Sequence, residues 1–198
     1  LQRLRMENIL KSNSLPKGLK IHADNSASFS NLYKYPFFNA VRIGLLQYGV
    51  LPYERCVFDK LNVTSTLSFY TKIGLVKDLP KGTSISYGRK HILNKDSKIA
   101  ILTAGYGDGI PIAYGKKGSV IIRDQLCPII GQITMDQIIV DVSLLSEVTA
   151  GETATLIGSS ENCKISLEEF STQSKTIPWE ILCSITKRVN RVYINPRG

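Results

Sequence analysis

The chain has 198 residues, 43% of them hydrophobic and 21% charged, which is the balance of an ordinary globular protein with room for one large domain or two small ones. No apolar run approaches the roughly 18 to 20 residues that a membrane-crossing helix needs, and no charged-then-apolar leader is visible, so neither a membrane span nor secretion is expected. The net charge of +9 is spread along the chain, with small clusters at Arg89-Lys90, Lys116-Lys117 and Lys187-Arg188, and no helix-turn-helix, RNP or aromatic-interleaved pattern accompanies it, which argues for solvated surface rather than nucleic-acid binding.

Leu1 to Ser14 carries apolar residues at positions 1, 4, 6, 9 and 10, close to helical spacing. The first residue is leucine rather than methionine, so the chain is expected to be part of a longer polypeptide. Leu15-Pro16-Lys17-Gly18 breaks the helix, and Leu19 to His22 reads as a short strand that runs, through Asn25 and Ser26, into a helix start. A second such unit follows: Phe38 to Ile43 is apolar except for Arg42, and Gly44 to Gly49 turns it. Helix, strand, helix, strand is the rhythm of an α/β layer or barrel.

The texture changes after Pro52, and a domain boundary is expected between Leu51 and Glu54. Leu61 to Val76 is rich in β-branched and aromatic residues. Further strands are expected at Ser84–Tyr87, Lys98–Thr103, Ser119–Ile122, Pro128–Ile130, Ile138–Val142 and Ala154–Ile157, separated by turns, which describes a mainly-β domain. Two helices close the chain: Ser166 to Ser174, with Ser166 and Glu169 in capping-box spacing, and Pro178 to Thr186, with proline at its start. The four cysteines, Cys56, Cys127, Cys163 and Cys183, are irregularly spaced without a CxxC, and His22 and His91 lie far apart. That pattern fits reduced thiols in a cytoplasmic protein, not a zinc site.

The stretch most suggestive of chemistry is Ile99 to Ile110. An apolar run ends at Gly105-Tyr106-Gly107-Asp108-Gly109, where glycine permits positive φ and close backbone approach. Such a loop is suited to holding the Tyr106 hydroxyl in a cavity; taken alone, it reads first as an ordinary glycine-rich turn with a core tyrosine. Arg42 in an apolar strand requires a partner, and a buried ion pair is the ordinary explanation.

Four patterns stand in one order: HADNSAS (His22–Ser28), VRIGLLQYG (Val41–Gly49), GYGDG (Gly105–Gly109) and GQITMDQ (Gly131–Gln137). KGTSISYG (Lys81–Gly88) and TIPWEILCSITKRVNRVY near the end join them. Together they resemble the C-terminal half of a bacterial alanine racemase, across nearly the whole chain. The resemblance implies a pyridoxal 5'-phosphate (PLP) enzyme that supplies D-alanine for peptidoglycan. Residues 1–51 would be the C-terminal part of a PLP-binding (β/α)8 barrel, and residues 52–198 a C-terminal β domain with two closing helices. It also implies a homodimer with active sites shared between subunits. In this family the PLP lysine sits in a K-x-x-x-YGHG-like motif, and none of the lysines here lies in that setting, so the chain alone is expected to be inactive.

The resemblance assigns roles residue by residue. Racemisation removes a proton from Cα on one face and returns it on the other, so it needs an acid/base group on each; Tyr106 matches the tyrosine of that pair, serving the site of the other subunit. A free tyrosine, with pKa about 10, is a sluggish base and needs neighbours that favour phenolate. Arg42 matches the arginine facing the pyridine nitrogen, and His22 the histidine that hydrogen-bonds it. Ser26, Gly44 and Leu45 match the phosphate cradle, with Asn25 as a lesser member that also reads as a cap. Met135 and Asp136 match the position that meets the substrate carboxylate through backbone N–H; an ordinary buried methionine is the alternative. Trp179 replaces a tyrosine that bonds the phosphate and narrows the entrance, Gln132 stands where arginine is common, and Gly107 where alanine is common. Trp179 keeps open a related racemase acting on serine, and the missing lysine keeps open a non-catalytic dimerisation or binding module.

Overall fold

A computed structural model describes residues 2–27, 37–51 and 63–194, and the chain divides into two units, Leu1–Thr66 and Leu67–Gly198. The boundary expected between Leu51 and Glu54 falls at a stretch, 52–62, that lies outside the described residues, as does Cys56.

In the first unit, helix α1 spans Gln2–Lys11 and stops short of the expected Ser14. The Ser12 hydroxyl donates to the Asn8 carbonyl (2.7 Å) and the Asn13 amide to that of Ile9 (2.6 Å), so polar side chains take up carbonyls that a further turn would have used. The strands expected at Leu19–His22 and Phe38–Ile43 do not form as strands; the described backbone holds a single parallel bridge, Asn25 to Arg42. The reason is Asn39. Its side chain donates to the Leu19 carbonyl (3.0 Å) and accepts from the Ile21 N–H (2.9 Å), and the N–H groups of Asn39 and Ala40 both converge on the Ile21 carbonyl. A side chain thus occupies backbone groups that a ladder would have paired. Gly44 to Gly49 turns as expected, through a 3-10 helix at Leu45–Tyr48 closed by Gly49 at φ +73°. The helix start expected beyond Ser26 runs into residues 28–36, outside the described residues.

The second unit is mainly β. Its strands are β1 (Phe69–Leu79), β2 (Ser84–Ile85), β3 (His91–Ile92), β4 (Ser97–Leu102), β5 (Ser119–Ile122), β6 (Gln125–Pro128), β7 (Ile138–Asp141), β8 (Thr153–Ser159) and β9 (Lys164–Ile165). Seven of them make an antiparallel sheet in the order β6-β5-β8-β1-β4-β7 with β9 on β8. Just past the end of β6, Ile129 bridges Val140 of β7, and the Ile130 N–H reaches the Ile139 carbonyl at 2.9 Å, so the two outer strands meet and the sheet is nearly closed. Closure removes exposed sheet edges. The long strand β1 makes this possible by pairing β8 over its first residues and β4 over the rest, with a register shift between Ile73 and Leu75. Gly74 sits at that shift, where a Cβ would press Thr103 at 2.9 Å.

Strand β7 buries alternate residues, whereas β5 and β8 bury consecutive ones. Ile73, Ala100, Leu102, Val120, Ile122, Ile138, Val140, Leu156 and Ile157 are all essentially inaccessible and form the core. Helix α2 (Leu167–Gln173) places Phe170 against the buried Tyr114 ring, centroids 4.1 Å apart. Tyr114 donates its hydroxyl to the Ser119 carbonyl at 2.7 Å, and burial pushes that phenol above its ordinary value. At the start of α2 the Ser166 hydroxyl accepts from the Glu169 N–H (3.1 Å), the cap expected from the sequence. Helix α3 (Pro178–Ser184) begins at its proline. Among the described residues no helix is long and apolar enough to cross a membrane, and no group of three or more His, Cys, Asp or Glu side chains is placed to hold a metal ion.

Candidate active site

The first unit brings four of the expected residues into two pairs. Two extended segments run parallel, tied by the Arg42 N–H to the Asp24 carbonyl at 2.8 Å. That register sets His22 beside Arg42, and the guanidinium Nη1 lies 2.6 Å from His22 Nδ1. Guanidinium can only donate, so Nδ1 is the acceptor and His22 is the neutral tautomer carrying its proton on Nε2. Both residues are exposed, and the partner of Arg42 is an imidazole; the buried ion pair is overturned.

Ser26, nearly buried, accepts the Gly44 N–H on its hydroxyl at 2.9 Å. This fixes the hydroxyl at the mouth of the Leu45–Tyr48 helix and leaves its proton to donate outward. The N–H groups of Leu45 and Leu46 open that helix and have no partner among the described residues. Among the described residues, a Cβ placed on Gly44 would meet no atom within 4 Å, so the space beside Gly44 is open. Hydroxyl, open glycine and free N–H groups are a donor set that suits a phosphate. Asn25 accepts the Ala27 N–H at 3.1 Å through its side chain, an Asx turn; the helix it is expected to cap lies outside the described residues.

In the second unit, Tyr106 opens the 3-10 helix Tyr106–Asp108 and is 46% exposed, which excludes the core-tyrosine alternative. Its hydroxyl makes no hydrogen bond among the described residues, whereas its backbone is held tightly. The Tyr106 N–H donates to the Thr134 carbonyl and the Gly107 N–H to the Met135 carbonyl, each at 2.9 Å. Gly105 is the closest approach: a Cβ there would overlap the backbone of Thr134 and Met135. Asp108 folds back so that Oδ2 accepts the Gly105 N–H at 2.9 Å. From the other side, Ser184 donates to the Gly109 carbonyl and Thr186 to that of Gly107, both at 2.9 Å. The tyrosine loop is therefore bound between the 134–137 turn and the segment after α3, with only the phenol projecting.

Met135 and Asp136 occupy the corner of that turn. Thr134 and Gln137 close it, with the Thr134 N–H on the Gln137 carbonyl (3.0 Å) and the Gln137 N–H on the Thr134 hydroxyl (3.1 Å). Met135 is 50% exposed, so it is not a buried methionine. Neither its N–H nor that of Asp136 is used in a hydrogen bond among the described residues. Trp179 is the second residue of α3 and is 47% exposed.

Sequence reading missed Arg188, which it placed in a surface basic cluster. Its Nη2 donates to Asp136 Oδ1 at 2.6 Å and its Nε lies 3.3 Å from Asp108 Oδ1, joining the GYGDG and ITMDQ loops. The two carboxylates hold this guanidinium above its ordinary pKa, chiefly through the Asp136 hydrogen bond. Gly107 lies directly under it: a Cβ there would overlap the guanidinium and come within 3.0 Å of the Met135 carbonyl.

The second unit is a nearly closed antiparallel sheet that presents a fixed tyrosine loop beside a turn whose corner N–H groups are unused among the described residues. Its family follows from comparison with known proteins. The family model for the alanine racemase C-terminal domain matches residues 66–193, and the chain belongs to the alanine racemase family. An alanine racemase from Halothermothrix orenii is 37% identical over 177 residues, covering 89% of this chain and 46% of that protein. The crystal structure of the Bacillus anthracis alanine racemase with bound L-Ala-P superposes with a TM-score of 0.86 at 31% identity, covering 98% of this chain and 50% of that one. The Bartonella henselae alanine racemase with covalently bound pyridoxal phosphate gives 0.85 at 31% identity, over 98% of this chain and 51% of that one. The chain thus spans about half the length of the relatives it matches.

Proposed function

We propose that this chain supplies the C-terminal half of a PLP-dependent racemase that interconverts L- and D-alanine in a homodimer, and that its first 51 residues are the closing units of the PLP-binding barrel. The observation that carries the reading is the tyrosine loop: an exposed phenol on a backbone fixed from both sides is what a proton-transfer group requires. PLP, when bound, spreads the negative charge left when the Cα proton is removed. The chain's own residues do the rest. Ser26 and the N–H groups of Leu45 and Leu46 would hold the phosphate, with Asn25 bracing the loop. Arg42, oriented by His22, would donate to the pyridine nitrogen; because guanidinium keeps its protons, that nitrogen stays unprotonated. The N–H groups of Met135 and Asp136 would receive the substrate carboxylate. Tyr106 Oη would give or take the Cα proton on one face, in the site of the other subunit, while the family's PLP lysine serves the opposite face. No lysine of these 198 residues lies in the family's setting for that role, so the 198 residues by themselves would not racemise.

The test is Tyr106→Phe in the full-length protein. Loss of a general acid/base group lowers turnover by roughly 10²- to 10⁴-fold, and Cα–H exchange should be lost unequally for L- and D-alanine while PLP stays bound. Small, equal losses for both enantiomers would refute the assignment. Trp179, at the position of the family's entrance tyrosine, supports a second reading in which serine is the preferred substrate; the ratio of alanine to serine turnover separates the two.

A further inference from the structure

The turn at Met135–Asp136 contains a contradiction if it is to receive an anion. Its two free N–H groups attract a carboxylate, but Asp136 places a carboxylate of its own, 59% exposed, on the same corner. Two like charges that close would repel. The structure resolves this with Arg188, whose fork takes Asp136 Oδ1 at 2.6 Å and Asp108 Oδ1 at 3.3 Å. Asp108 is the residue that folds the tyrosine loop by accepting the Gly105 N–H. One guanidinium therefore spans both loops, and glycine at 107 leaves the space it lies in.

We propose that Arg188 is a positioning residue for the substrate-carboxylate subsite: it clamps the 134–137 turn to the tyrosine loop and cancels the Asp136 charge beside the N–H pair. The proposal rests on the racemase reading for its substrate, but the clamp itself does not. An isolated surface ion pair contributes little; a single arginine shared by two carboxylates on adjacent loops matters instead for where those loops stand and for the local charge.

The full-length, PLP-loaded protein is compared as parent, Arg188→Met, Arg188→Lys and Arg188→Met/Asp136→Asn. Two readouts are taken: KM against kcat for alanine, and hydrogen exchange of the Tyr106 and Gly107 amides. Arg188→Met is expected to raise KM about five- to tenfold, the scale of one unscreened charge at contact range in water, with a smaller change in kcat, and to speed exchange of both amides. Arg188→Lys keeps the charge but not the fork, so its KM stays near that of the parent while exchange still accelerates. Removing the Asp136 charge in the double variant returns KM toward the parent value without restoring amide protection. Unchanged exchange in Arg188→Met overturns the clamp, and a double variant with KM as high as Arg188→Met overturns the charge role. If Arg188→Met does not fold, the lysine variant still separates the two effects. If no variant, parent included, racemises alanine, the functional reading fails, and the exchange measurement alone decides the clamp.

Discussion

By the family resemblance Trp179 stands in the place of a tyrosine, and its position bears on what that difference would do. It stands at the second residue of α3, half exposed, and its indole N–H has no hydrogen bond among the described residues. An indole places one donor in a fixed direction, whereas a phenol rotates a hydroxyl that both donates and accepts. On the proposed function, the ring would act as a gate rather than as a phosphate ligand. Trp179→Phe in the full-length protein should leave PLP affinity within about twofold and shift the ratio of alanine to serine turnover. A hydrogen bond to a charged group contributes roughly 1.5 to 3 kcal/mol, so a PLP affinity loss beyond about tenfold on equilibrium dialysis would assign the phosphate role instead.

Strands and turns carry their own titration. Cys127 in β6 is 3% exposed, and burial first, with the Asp141 carboxylate second, pushes its thiol up to about 11. In the unfolded chain the thiol titrates near about 8.5. The folded state thus favours the neutral thiol; its contribution is complete below the unfolded value and is lost as pH rises toward about 11. Urea midpoints measured from pH 7.5 to 10.5 should fall more steeply for the parent than for Cys127→Ala, and native Cys127 should resist alkylation at pH 8. A parallel fall in both proteins would refute the coupling. At this scale much of the fold was legible beforehand. The strand at Ser119–Ile122 and the starts of both closing helices were read from a short apolar run bounded by a turn, a capping serine and a helix-start proline. The illegible parts depend on side chains reaching across the fold. Asn39 displaces a ladder in the first unit. The β5–β6 turn uses Arg123 and Asp124 at φ +47° and +62° without a glycine, because Glu152 holds the arginine and Ser160 and Asn162 hold the aspartate. β3 and β9, two residues each, are too short to show a period, and β2 ends at Ile85, short of the Tyr87 expected. Arg188 failed for the same reason: 52 residues separate it from Asp136, so composition showed a basic cluster where the fold makes a clamp.

For the whole molecule, the proposed function makes the chain's catalytic groups half of a site. Tyr106 is presented outward on a fixed loop, and by family resemblance it completes the site of the other subunit of a two-fold dimer. In such a dimer each interface is used twice, so every site takes its PLP lysine from one subunit and its tyrosine from the other. This makes two dead proteins complementary. Full-length Tyr106→Phe lacks the tyrosine, and a full-length variant with the PLP lysine replaced by alanine lacks the lysine. In a mixed dimer one site inherits both defects and the other inherits none. Random reassortment of equal amounts makes half the dimers mixed, so activity should return to about a quarter of the parent value. Recovery should follow the rate of subunit exchange after mixing, read by continuous assay for D-alanine. If Tyr106 instead serves its own subunit, no mixture contains an intact site and activity stays at the level of the separate variants. Recovery therefore tests the shared site directly, and its absence in a mixture shown by mass spectrometry to contain mixed dimers would place Tyr106 in its own subunit's site.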